Sequence, residues 1–147
     1  MSPGKLNRRV VQRHLRALDE QLTELAQHTG QSVDVLRMNI VERWAVERGL
    51  QLCVQNVIDL ALHLVAGAGR DVPDYAAGID QLGQLGIISF ELAKQLRGLA
   101  GFRNALVHGY LDIDVGIVHD VLNQHLAQVR EFAVAIDKYL AGVTTAP

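Results

Sequence analysis

Cysteine is all but missing from this 147-residue sequence, with Cys53 standing alone. One thiol forms neither an internal disulfide nor a multi-thiolate metal centre, so a disulfide scaffold and a cysteine-rich zinc module are both excluded. Inside an apolar helical stretch, Cys53 reads as a packed core thiol. Proline is confined to positions 3, 73 and 147, and aromatic residues make up only 5% of the chain. Long stretches are therefore free of helix breakers, and the abundance of Leu, Val and Ala favours packed helices. An excess of positive charge is also missing: the formal charge is −2 and the pI about 6.3. That balance excludes a protein that coats nucleic acid through its overall field, so any RNA contact must be local. Finally, no long apolar run is unbroken, since Val57–Gly69 is interrupted by Asp59 and His63 and the charged N-terminus leads into no apolar segment. Neither a membrane span nor a signal peptide is predicted, and the cytoplasm is the expected location.

What is present is the balance of a globular protein, 49% hydrophobic and 20% charged. The length suits one domain over residues 1–147, ordered over about 5–141, with 142–147 expected to fray.

Val11, Leu15, Leu18, Leu22 and Leu25 repeat at helical spacing and predict a first helix from about Leu6 to His28, ended by Gly30. Ser32 is the predicted cap of a second helix from Val33 to about Val65, with a kink expected near Gly49. The breaker-rich segment 66–75 is a connection. Its Gly67 and Gly69 follow no strand and lead into no further Gly-x-x-Gly, so a nucleotide-binding glycine loop is not predicted. A short helix is expected over Gly78–Leu85. Ser89 then caps a long element, Phe90–His108, closed by a left-handed Gly109. Asp112 or Asp114 caps a last helix from Val115 to about Leu140. The predicted fold class is all-α: an antiparallel four-helix bundle with one additional short helix.

Chemistry concentrates at the end of the Phe90–His108 element. Leu92, Leu96, Leu99 and Leu106 form one stripe at 100° per residue, and Arg103 falls in the middle of it. A cation at a core position must find a carboxylate, such as Asp59 or Glu47 on the second helix, or face a cleft. Asn104 and His108 share a second face, extended backwards by Gly101 and Arg97. Gly101 weakens the helix by roughly 1 kcal/mol relative to Ala, which suggests close approach by another chain or an RNA strand. On an ideal helix Arg103 and His108 lie about 140° apart. They converge on one phosphate only if the helix end unwinds at His108 and Gly109 or if two protomers face each other. His108 at a helix C-terminus, where the macrodipole favours the imidazolium, could exchange protons with a ribose hydroxyl. Arg103 could stabilise phosphoryl charge, and Asn104 could orient the phosphate or the imidazole. The plain alternative for His108 is a C-capping residue without a catalytic role. Spacing alone decides nothing, because Arg9 and His14 repeat it on what reads as the solvated face of the first helix.

The longer string Gly-Phe-Arg-Asn-Ala-Leu-Val-His-Gly-Tyr at 101–110, at a helix end before a short acidic link and a final helix, closely resembles the signature of HepT-like proteins in the HEPN superfamily. Weaker similarity runs through Glu47–Leu60 and Gly86–Ala93. The resemblance implies a homodimeric, metal-independent endoribonuclease toxin with its sites at the dimer interface and no cofactor. Arg103, Asn104 and His108 would be catalytic, with Arg97, Gly101 and Asp59 as supporting positions. It also implies RNA rather than DNA as substrate, no membrane partner, and an MntA-like nucleotidyltransferase antitoxin that transfers AMP to Tyr110. The rival from another class is a non-catalytic helical adaptor or binding module, which the net acidic charge favours. A small-molecule-binding bundle has only Asp59 and His63 as convergent core polar groups, too few for a metal site. His63, His119 and His125 read as packed or surface residues.

Overall fold

The computed structural model describes residues 6–143, and among them every regular element is helical. Helix α1 (Arg8–Ala26) starts where the Asn7 side chain accepts hydrogen bonds from the Arg9 and Val10 amides, and it buries Val11, Leu18, Leu22 and Leu25. Gly30, at φ 85°, turns the chain after it. Helix α2 (Val33–Met38) is separated from α3 (Ile40–Gly67) by a single residue, Asn39. The single helix expected from Val33 to about Val65 is therefore broken at Asn39. The Asn39 backbone is extended and its side chain accepts from the Glu42 amide at 3.1 Å, restarting the helix with a fresh cap. Gly49 serves the packing of two helices. A Cβ there would lie 2.8 Å from Leu25 Cδ2, so its absence lets α1 approach α3 closely.

Helix α3 is the centre of the fold. It contacts α1 on one side and, on the other, α4 (Tyr75–Gln84) and α6 (Gly98–His108). By length and composition it could cross a membrane, but half of its most apolar window is buried against the rest of the chain. Val54, Val57, Ile58, Leu60 and Leu64 join the core, as does Cys53, whose thiol burial pushes up to about 12.

Helix α4 begins at Tyr75, three residues earlier than expected, because Asp74 caps it through the Ala77 amide at 2.8 Å. Gly86, at φ 74°, then sends the Ile87 and Ile88 amides back to the Leu82 carbonyl. Ser89 caps α5 (Phe90–Leu96) as predicted. The single long element expected over 90–108 is divided: the backbone tightens at Arg97 and Gly98, where the Ala100 amide bonds the Arg97 carbonyl, before α6 begins. Asp114 caps α7 (Val115–Asp120), and a five-residue π-helical turn, Val121–His125, leads into α8 (Leu126–Gly142). The expected last helix is thus interrupted by one wide turn. α8 lies against α1 and α5, and Phe132, Ile136 and Leu140 close the core. Gly142 is still helical, while the remainder of the expected frayed tail after Val143 lies outside the described residues.

Candidate active site

The Leu stripe behaves as predicted: Leu92, Leu96, Leu99 and Leu106 are buried, and Arg103 points among them while only half-buried. Its charge meets neither Asp59 nor Glu47 directly. The Arg103 Nε donates to Gln55 Oε1 at 2.8 Å, Gln55 Nε2 in turn donates to Asp59 Oδ1 at 2.8 Å, and the guanidinium carbon stands 5.2 Å from the centroid of the Tyr75 ring. An amide relay thus replaces the expected ion pair. It orients the cation without neutralising it, and the ring face adds a cation–π contact. The Arg103 Nη1 also donates to Asn104 Oδ1 at 3.1 Å. Glu47 is engaged elsewhere, 3.6 Å from Arg43, and partial burial raises its carboxyl above the usual range against the opposing pull of that arginine.

Asn104 and His108 are exposed on the outer face of α6 beside exposed Gly101. Arg97 does not join them, because its Nη2 lies 3.5 Å from Asp80 Oδ2 on α4. Two hollows flank Gly101. One, of about 460 Å³, is bordered by Pro73, Tyr75, Ala100 and Asn104; the other, about 360 Å³ and mainly apolar, by Leu99, Phe102, Ala105, Ile117 and His125. Apart from its own helix backbone and adjoining residues, no described atom lies within 4 Å of where a Gly101 Cβ would stand. The open face expected there is present, and nothing from the same chain fills it.

The helix end does not unwind. α6 remains helical through His108, and Gly109 has φ −102° rather than the left-handed value expected, its amide bonding the Ala105 carbonyl at 2.9 Å. The arc of about 140° between Arg103 and His108 is therefore kept. Tyr110 follows on a turn, 69% exposed, so its hydroxyl is open to modification chemistry.

Elsewhere, His14 is not solvated as expected but half-buried against α3, its Nδ1 2.7 Å from Asn56 Oδ1. His63 Nε2 accepts from the Asn7 amide at 3.2 Å, so this histidine packs structurally against the start of α1. No group of three potential His, Cys, Asp or Glu metal ligands occurs among the described residues. Sequence reasoning missed Gln55 and Tyr75. Gln55 left one signal, an amide one helical turn before Asp59; Tyr75 left none beyond its place after Pro73 and Asp74.

Comparison with known proteins bears on the family and the fold. A family model described as ribonuclease HepT-like matches residues 10–136 and so takes in most of α1 as well as the motif. A "tRNA nuclease HepT" from Aphanizomenon flos-aquae is 31% identical over 133 residues, 89% of this chain and 90% of that protein. Among solved structures, the Bacillus subtilis cytosolic protein YutE superposes with a TM-score of 0.83 at 20% identity, covering 95% of this chain and 96% of the other. A tri-AMPylated Shewanella oneidensis HEPN toxin in complex with MNT antitoxin superposes at 0.78 and 22% identity, covering 88% and 97%. At these identities the two structures speak to the fold, which is the all-α arrangement described above.

Proposed function

Because the chain belongs to the ribonuclease HepT-like family, we propose that it is an endoribonuclease toxin whose reaction is carried by Arg103, Asn104 and His108 in a site completed by a second copy of the chain. The observation that carries this reading is the half-buried guanidinium of Arg103, fixed by Gln55 and Tyr75 but paired with no carboxylate among the described residues. A cation held rigidly without a counterion is suited to charge that develops during reaction, such as that on the phosphoryl oxygens of a cleaved RNA linkage. His108 supplies the proton transfer: it takes the ribose 2′-hydroxyl proton as the 2′-oxygen attacks phosphorus, and the bond to the 5′-oxygen breaks. The 5′-oxygen takes a proton from the imidazolium so formed or from water and leaves as a hydroxyl, and a 2′,3′-cyclic phosphate remains, with no metal needed. Because α6 stays helical through His108, Arg103 of one copy and His108 of another are the pair that can face one phosphate.

Inhibition by a nucleotidyltransferase antitoxin through AMP transfer to Tyr110 follows from the same arrangement. An adenylyl phosphate two residues from His108 would fill the phosphate position and repel RNA. Incubating the protein with total RNA in chelator should yield fragments ending in 2′,3′-cyclic phosphate. His108→Ala and Arg103→Ala should abolish them; equal cleavage by wild type and His108→Ala would overturn the reading, and no cleavage by either would favour a non-catalytic binding module.

A further inference from the structure

Charge is unevenly distributed along this acidic chain. Five of its fourteen Lys and Arg residues, Lys5, Arg8, Arg9, Arg13 and Arg16, precede the first acidic residue, Asp19, and all sixteen carboxylates follow. Beyond position 18 the chain therefore holds nine cations against sixteen acids. Arg8 is spent internally, its Nη2 donating to the Leu140 and Val143 carbonyls at 2.9 and 3.0 Å. Arg9, Arg13 and Arg16 are exposed, and none forms an ion pair among the described residues. At steps of four and three residues they fall within an arc of about 60° and a length of about 10 Å on the outer face of α1. Glu20, one turn beyond Arg16, bounds the stripe.

The stripe is tied to the candidate active site through α3. Arg13 shares a shallow groove with His14, Ala17 and Asn56. His14 is hydrogen-bonded to Asn56, and the next residue back, Gln55, holds Arg103. Arg13 and Arg103 thus flank α3 at the same level, one from α1 and one from α6. With helices packed roughly 8–10 Å apart, that separation is a few nucleotides of RNA strand.

We propose that Arg9, Arg13 and Arg16 form an RNA-backbone site, gripping substrate phosphates outside the cleavage site. All three cations are arginines, whose planar fork binds phosphate oxygens in pairs, and their local density supplies the contact that the overall charge of −2 withholds. The stripe reads phosphates rather than bases, so it contributes affinity without sequence preference. The proposal rests on the ribonuclease reading above.

The test is a binding measurement in a His108→Ala background, using fluorescently labelled bulk transfer RNA over a series of salt concentrations. Changing Arg9, Arg13 and Arg16 together to Gln should weaken binding at least about tenfold at low salt. It should also lower the slope of log affinity against log salt by about two to three, as three lost phosphate contacts require. The triple Lys variant should recover most of both, and circular dichroism should show equal helicity in all three proteins. Unchanged affinity and slope in the Gln variant would overturn the proposal while leaving the ribonuclease reading intact. Failure of the parent protein to bind RNA at any salt concentration would overturn both. Loss of binding to a polyglutamate competitor, with RNA binding unchanged, would assign the stripe to an acidic protein partner instead.

Discussion

The Arg103 Nε donates to the Gln55 side-chain oxygen at 2.8 Å, and this one bond fixes the direction of the only cation in the core-facing stripe of α5 and α6. Gln55 is itself held by Asp59. The glutamine separates the carboxylate from the guanidinium, so the cation keeps its full charge for a phosphate. Gln55→Leu removes the tether without adding charge, and displacement of a catalytic group by about 1 Å can cost on the order of 100-fold in rate. Single-turnover cleavage should fall by about 10- to 100-fold in the chemical step with little change in KM. Gln55→Glu should fall as well, because a carboxylate in contact would neutralise the cation. Wild-type rates in both variants would show that Arg103 needs no positioning.

Tyr110 is an exposed residue on the turn after α6, not part of the core. Tyr110→Phe should therefore fold as the wild type does and keep cleaving RNA. It should lose the mass increase of one adenylyl group when incubated with ATP and an MntA-like nucleotidyltransferase, and its cleavage should no longer be suppressed. Mass spectrometry of the intact protein reads the first outcome, and an RNA gel reads the second. Modification at an unchanged level in Tyr110→Phe would move the acceptor elsewhere.

The parts of the fold that local pattern controls were legible in the sequence. The α1 stripe, the Ser89 cap and the leucines flanking Arg103 each follow from spacing and side-chain chemistry within a few residues. The break at Asn39 was hidden because Leu36, Ile40 and Val41 continue an apolar pattern across it. Its one local mark was Asn39 followed three residues later by Glu42, an order typical of a capped helix start. The π-helical turn at Val121–His125 shifts the register by one residue, too little to disturb the periodicity of Val118, Leu122 and Val129. The site was legible only in part. Arg103, Asn104, His108 and Tyr110 belong to one short string, whereas Gln55 and Tyr75 reach Arg103 through the packing of α3 and α4, which no local pattern encodes.

Acidification should loosen the start of α1. His63 has its protonation pushed down from the ordinary value of 6.5, first by burial and next by the neighbouring His14. That bond uses Nε2 as an acceptor, which only the neutral imidazole offers. With the folded-state value depressed, the contribution to stability is complete above 6.5 and is lost as pH falls towards the folded value. Thermal melts through this range should show Tm falling with pH, and His63→Gln should flatten part of the fall. An unchanged pH profile in His63→Gln would remove His63 from the account.

Gly101 separates what the single chain needs from what a second copy needs. Apart from its own helix backbone and adjoining residues, no described atom lies within 4 Å of its missing Cβ, and glycine inside a helix is less favourable than alanine by about 1 kcal/mol. In an isolated chain Gly101→Ala should therefore raise Tm by roughly 2–4 °C, the usual effect of that energy in a domain of this size. If a second copy rests its backbone on this face, the added methyl group must be accommodated at the contact, where tight packing gives little room. Sedimentation at dilute protein should then show dimerisation weakened by about tenfold, equivalent to about 1.4 kcal/mol. RNA cleavage should fall in parallel, and raising the protein concentration should restore it, because the loss lies in assembly rather than in chemistry. A Gly101→Ala protein that is more stable, equally dimeric and equally active would leave the Gly101 face without a partner and return the pairing of Arg103 with His108 to a single chain.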